Sequence, residues 1–164
     1  MNRISQLTAV LLLLGVLSTT DAARPGKISK VLPHWLDLQG RHTLSPSLLE
    51  RDAYQAKLRA DRSLCSGIRF DVKWATNTGG TVKLQLELRV TGVAKPIVLE
   101  RAIKPNRRGG WDVVTLDGGA FKAIGKIIAW RVRLLDGDIE LAERRSFLWT
   151  EPKPTSDAKK TAAD

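Results

Sequence analysis

The sequence predicts a mainly β protein, a small antiparallel β-sandwich with one short helix near its N-terminal side. Three observations carry this. Apolar and polar residues alternate in "IRFDVKW" (68–74), "VKLQLELRV" (82–90) and "WRVRLL" (130–135), the pattern of antiparallel strands with one buried face. Turn-forming stretches such as "ATNTGG" and "DG" separate these runs. Only "LSPSLLERDAYQAKLRAD" (44–61) has helical spacing.

The chain begins "MNRISQLTAVLLLLGVLSTTDA". Arg3 supplies a positive charge, Leu7 to Leu17 form an apolar run of 11 residues, and Thr20 and Ala22 are small residues three and one before a cleavage point. Residues 1–22 therefore read as a secretory signal peptide, cut after Ala22 or Ala23. A membrane span takes ~20 apolar residues, and no Cys follows the run to carry a lipid anchor. The expected mature chain of roughly 140 residues suits one domain and can bury a core without disulfides. It has no transmembrane segment, and its expected location is secreted or periplasmic. Residues 23–32, "ARPGKISKVL", lack pattern and read as an exposed lead-in. The domain is expected over 33–149. Residues 150–164, with two prolines and many small residues, read as a disordered tail.

Within the domain, the spacing predicts a helix at about 47–60. Ser47 and Glu50 have capping-box spacing, and Leu49, Ala53, Ala56 and Ala60 recur on one face, with Leu48 and Leu58 nearby. That face is weakly apolar, so the helix is expected against a sheet edge. Ile68, Phe70, Val72 and Trp74 then oppose Arg69, Asp71 and Lys73, and Val82, Leu84, Leu86, Leu88 and Val90 alternate with polar residues. With "ATNTGG" between them, these two strands read as an antiparallel hairpin. "PIVLERAI" (96–103) and "WDVVTL" (111–116) are shorter candidates. Ile128, Trp130, Val132 and Leu134 share a face, and Asp136-Gly137 suits a tight turn. Ile139 and Leu141 resume the pattern and Phe147 and Trp149 end it, with an irregularity expected around Glu143, Arg144 and Arg145. About six such strands, without a Cys…Trp…Cys signature, compare best with a disulfide-free immunoglobulin-like or fibronectin-III-like sandwich. Architecture of this kind does not set function.

Catalytic chemistry finds little support. Cys65 is the only cysteine, which excludes an intrachain disulfide, and it reads as a buried small apolar residue. His34 and His42 stand apart from any Cys or dense acidic cluster, whereas zinc sites use tighter pairs and at least three protein ligands. They read as structural or surface residues. A Cys65–His pair has no recognised catalytic context. Asp37, Glu50, Asp52, Asp71 and Asp136 are scattered, and the Gly-rich turns lack phosphate-loop spacing. No catalytic residue, metal or cofactor is assigned.

The net charge of +10 points to anionic partners. These are an anionic polysaccharide, a lipid head group or an acidic protein. Nucleic acid is disfavoured, though not excluded, because a single "RGG" falls far short of a repeated RNA-binding tract. In "RAIKPNRRGGW" (101–111), Arg101, Lys104, Arg107 and Arg108 occur without an acid and precede Trp111, a combination able to hold phosphate or sulfate and stack on a ring. These five, with Arg131 and Arg133, are the candidate ligand-binding residues, and Arg144 and Arg145 extend the patch if their strands lie beside it. Of five tryptophans, Trp74 and Trp130 fit core positions, while Trp35, Trp111 and Trp149 lie near element ends where a stacking platform can sit. The expected function is an exported, non-enzymatic binding module with a basic surface. The alternatives are a structural or assembly subunit of the cell envelope, using unpaired sheet edges, and an enzyme with a dispersed site.

Two longer segments, "PHWLDLQGRHTLSPSLLERDAYQAKLR" (33–59) and "AWRVRLLDGDIELAERRSFLW" (129–149), resemble a group of uncharacterised secreted bacterial proteins. Together they cover under half of the expected mature chain. The resemblance implies a common exported domain and assigns no activity or residue role.

Overall fold

Strand pairing divides the chain between two antiparallel sheets. The computed structural model describes residues 25–104 and 109–150. The expected signal peptide, Arg107 and Arg108, and residues 151–164 of the expected tail lie outside the described residues. The first sheet has the order β1 (Gly26–Asp37), β2 (Cys65–Thr76), β5 (Gly110–Asp117), and the second β4 (Ile97–Ile103), β3 (Val82–Val90), β6 (Ile127–Asp136), β7 (Ile139–Arg145). Helix α1 (Leu48–Ala60) follows β1, and the short helix α2 (Gly118–Ala123) follows β5.

The expected alternation in β2 and β3 is present. Phe70, Val72 and Trp74 face Leu84, Leu86, Leu88, Val132 and Leu134 in one shared core, all buried. Burial of each large apolar side chain contributes ~1.5–3 kcal/mol. The pairing differs from expectation, because β2 and β3 do not form a hairpin. β2 pairs with β1 and β5, while β3 pairs with β4 and β6. Period two tells which face of a strand is buried and not which strand lies beside it, so "ATNTGG" carries the chain across the sandwich. β4 and β5 also lie in different sheets. Gly109, just before β5, has to be glycine: with φ +71° its backbone lies so close to β2 that a Cβ would sit 2.1 Å from the Trp74 carbonyl oxygen.

The segment read as a lead-in is instead the first half of β1. Its pattern is broken by a bulge: Ile28 pairs with Trp74 and Lys30 with Lys73, leaving Ser29 extra. The buried residues Ile28 and Val31 are consequently three apart. Similar single insertions occur in the second sheet. Ile128 is extra between Ala129 and Ile127, which turns it 47 % exposed rather than into the expected core row. Leu141 is extra opposite Leu134 and Leu135, a few residues before the expected irregularity. The turn after β6 has Asp136 paired with Ile139, so Gly137-Asp138 forms the two-residue connection, Gly137 at φ +58°.

Helix α1 begins after Ser47 as expected, but the Ser47 side chain makes no cap hydrogen bond. Its buried residues are Gln55 and Leu58, while Leu49 is 81 % exposed, so the predicted apolar face is not the contact face. The reason lies in the edge strand it covers. Trp35 of β1 has a backbone N–H that donates to Gln55 Oε1 (2.8 Å) and a carbonyl that accepts from Gln55 Nε2 (2.9 Å). The amide thus replaces a neighbouring strand and closes part of the sheet edge. At the end of β1, the buried Asp37 carboxylate accepts from Tyr54 Oη (2.7 Å), the Arg41 N–H (2.8 Å) and Nε (2.8 Å), and the Gln39 N–H (2.9 Å). Burial opposes its ionisation, but these donors outweigh burial and lower its pKa to about 2.

Two outcomes are expected from equilibrium urea unfolding. Gln55→Ala leaves two edge groups without their partner and should cost ~1–3 kcal/mol, whereas a loss under about 0.5 kcal/mol, normal for surface changes, would contradict the edge-closing role. Asp37 has a folded pKa below its ordinary value of 3.8, so its stabilisation is complete above that value and is lost as pH falls towards about 2. The stability gap between wild type and Asp37→Asn should narrow across that window, and a gap independent of pH would contradict the assignment.

Candidate functional site

The residues expected to form one basic surface are separated by the fold. Arg131 and Arg133 project from the outer face of the second sheet, where Glu87 of β3 lies directly opposite Arg131. Glu87, only 4 % exposed, pairs with Arg131 Nη2 at 2.9 Å and Arg133 Nη2 at 2.7 Å. Glu143 lies 3.7 Å from both Arg131 and Arg145, and Glu140 4.0 Å from Arg133. Arg131 also covers the ring of the buried Trp149 at 4.8 Å. This face is an internally neutralised cross-strand network, not an open anion site. Arg101 pairs with Asp112 (3.4 Å) and donates to the Val113 carbonyl (2.9 Å), tying β4 to β5. Arg144 donates to the carbonyl of the bulged Ser29, tying β7 to β1. Lys104 is exposed at the end of β4, and Arg107 and Arg108 are outside the described residues.

Trp111 lies on the outer face of the first sheet, 50 % exposed, with Lys73 Nζ 6.0 Å from its ring centre. Lys30 is paired in register with Lys73 on that face. Trp111 is thus the exposed platform among the three end-of-element tryptophans, since Trp149 is buried and Trp35 is half-buried. Trp74 is core, its Nε1 donating to Asp112 Oδ2 at 3.0 Å. Trp130 is half-buried and meets Phe70 edge-on with ring centres 6.2 Å apart.

A second candidate site is not among those singled out from the sequence. Residues of both sheets line a pocket of about 670 Å³, within the range of small-ligand sites. Pro33, Trp35, Ile68 and Phe70 of the first sheet form one wall, and Ile127 to Trp130 of the second form the other. Arg59 and Ala60 at the end of α1, Arg62, Lys126 and the segment Ser146–Leu148 complete it. Among the described residues, every charged one lining the pocket is cationic. Arg62 is engaged: its guanidinium donates to the carbonyls of Phe121 and Gly125 and lies 4.4 Å from the Phe121 ring centre. Arg59 and Lys126 are exposed, and their side chains have no ion pair among the described residues. Sequence offered one signal for this site. "GKIIAW" and "RSFLW" hold more apolar residues than a one-sided strand needs, and the surplus ones, Ile128, Phe147 and Leu148, are exposed beside the pocket.

The reactive side chains lie elsewhere. Cys65 is buried, its Sγ donating to the Leu58 carbonyl at 3.2 Å, and burial pushes its thiol pKa up. His34 and His42 lie with ring centres 5.1 Å apart, and His34 is 3.6 Å from Asp71. Burial lowers both imidazole pKa values, with the nearby Arg69 and Arg51 adding to it against Asp71. Among the described residues no group of three or more His, Cys, Asp or Glu is placed to hold a metal. Ser146, the pocket's one hydroxyl, accepts the Trp130 N–H at 3.0 Å. The pocket is therefore equipped to hold a molecule by apolar contact and charge.

No protein-family model, curated protein or solved structure matches the chain. Among the described residues no helix is long and apolar enough to cross a membrane.

The neutralised face has a direct test. Glu87→Ala leaves Arg131 and Arg133, neighbours on one face of β6, without their shared acid and should cost ~3 kcal/mol in urea unfolding. A neutral effect, with no gain in binding of sulfated polysaccharide, would contradict the network.

Proposed function

We propose that the protein is an exported, non-enzymatic binding module whose ligand site is the inter-sheet pocket, and that its ligand is an anion with an apolar body, such as a fatty carboxylate or alkyl phosphate. The observation that carries the proposal is the pairing of aromatic and aliphatic walls with a rim whose charges, among the described residues, are Arg59, Arg62 and Lys126. Apolar walls take the ligand body at ~25 cal/mol per Å² buried, and the rim cations select the sign of its head group. The division of the seven described antiparallel strands into sheets of β1-β2-β5 and β4-β3-β6-β7 supports reading the scaffold as immunoglobulin-like or fibronectin-III-like. The signal-like residues 1–22 support export.

A second reading has its own observation. Lys27, Lys30 and Lys73 are exposed on the outer face of the first sheet beside Trp111, a cation–aromatic strip suited to an anionic polysaccharide. It is flat and open, whereas the pocket encloses its ligand.

Trp35 and Trp130 line the pocket and report on its occupancy. Titration with laurate should change tryptophan fluorescence saturably, and dodecyltrimethylammonium should not. Arg59→Glu with Lys126→Glu should weaken laurate about tenfold, ~1.4 kcal/mol, and Ala60→Trp, an exposed substitution that narrows the pocket, should weaken it at least as much. Equal binding of both surfactant signs, or indifference to all three substitutions, would contradict the proposal.

A further inference from the structure

The segment after β7 presents an apolar side chain to solvent in a held conformation. Ser146 extends the pairing with β6: its N–H donates to the Trp130 carbonyl at 2.9 Å, and its Oγ accepts the Trp130 N–H. The Trp149 N–H then donates back to the Ser146 carbonyl at 3.0 Å, closing a turn around Phe147 and Leu148. Trp149 is buried beneath Arg131, and Arg89 Nη1 donates to the Thr150 carbonyl (2.7 Å) and hydroxyl (2.6 Å). Thr150, expected in the tail, is thus held to the sheet. Fixed on both sides, the turn leaves Phe147 100 % exposed and Leu148 60 % exposed. Both stand at the pocket with Ile128, and the charges around that pocket are Arg59, Arg62 and Lys126.

From this arrangement we infer that the Phe147–Leu148 turn docks the protein on an anionic lipid surface, inserting its apolar tip between head groups while Arg59 and Lys126 engage their phosphates. A single apolar tip binds a bilayer weakly. Lysines and arginines at the surface add attraction for anionic lipid within a Debye length. The tip and the cations occupy the rim of one pocket, so docking turns the pocket mouth to the membrane. The lipid surface is then the source of the amphiphile, and this last step rests on the proposed pocket function.

The test is co-sedimentation of the expected mature chain, residues 23–164, with vesicles of phosphatidylcholine containing phosphatidylglycerol, against vesicles of phosphatidylcholine alone. Wild type should bind the anionic vesicles preferentially. Phe147→Ser with Leu148→Ser should weaken that binding on the order of tenfold with an unchanged urea midpoint, since both side chains are exposed. Arg59→Glu with Lys126→Glu should abolish the preference for anionic lipid. Ala60→Trp, which narrows the pocket, should lose laurate and keep vesicle binding. Vesicle binding by the Phe147/Leu148 variant equal to wild type overturns the inference, as does loss of vesicle binding in Ala60→Trp with the tip intact. Wild type that docks through the tip but fails to bind laurate supports the docking surface and overturns the pocket reading alone.

Discussion

One guanidinium fixes the β5–β6 crossing from the first sheet to the second. Arg62, in the 3₁₀ turn between α1 and β2, donates to the carbonyls of Phe121 and Gly125 and covers the Phe121 ring. Helix α2 has only six residues, and its last carbonyls have no intrahelical partner. Arg62 at this C-terminus satisfies one of them, that of Phe121, and complements the helix dipole. Phe121 is in turn buried and meets Trp35 edge-on at 5.9 Å. The start of β6 is thereby placed opposite Trp35, Ile68 and Phe70, with the pocket between. The site belongs to this crossing, and neither sheet would form it alone.

The distribution of cations follows from the same chemistry. Arginine offers several fixed N–H donors and is used here as a fastener: Arg62 at the crossing, Arg101 between β4 and β5, Arg144 between β7 and β1, and Arg131 and Arg133 around Glu87. Lysine is a hydrated point charge on a flexible stem, and Lys27, Lys30, Lys73 and Lys126 stay at the surface. A net charge of +10 therefore overstates the basic surface open to an anion. Much of the arginine content is committed to holding the sandwich closed, and the cations left at the pocket acquire weight because no acid among the described residues lines it.

What the sequence made legible was the face of each regular strand. The rows of β2 and β3, the location of α1, the β6–β7 hairpin (though its two-residue turn is Gly137-Asp138 and not Asp136-Gly137) and the burial of Cys65 can all be read from period and turn chemistry. Strand β1 was hidden because Ser29 is inserted as a bulge, which puts Ile28 and Val31 out of step. Partner choice was hidden because alternation carries no information about neighbours. Assigning β2 and β3 to one hairpin concealed that Glu87 faces Arg131, and so the arginine face looked unopposed. The pocket was least legible of all. Its walls come from β1, β2 and β6 and its rim from α1, Arg62 and the chain after β7, segments spread from Pro33 to Leu148 that only the fold brings together.

The most direct measurement is an amide-resolved NMR titration of the protein with dodecyl phosphate. Saturable shifts clustered at Ile68, Phe70, Ile127–Trp130 and Ser146–Leu148 are predicted, because these residues enclose the pocket. Shifts confined to Lys30, Lys73 and Trp111 on the outer face of the first sheet would place the anion outside the pocket and contradict the proposed site.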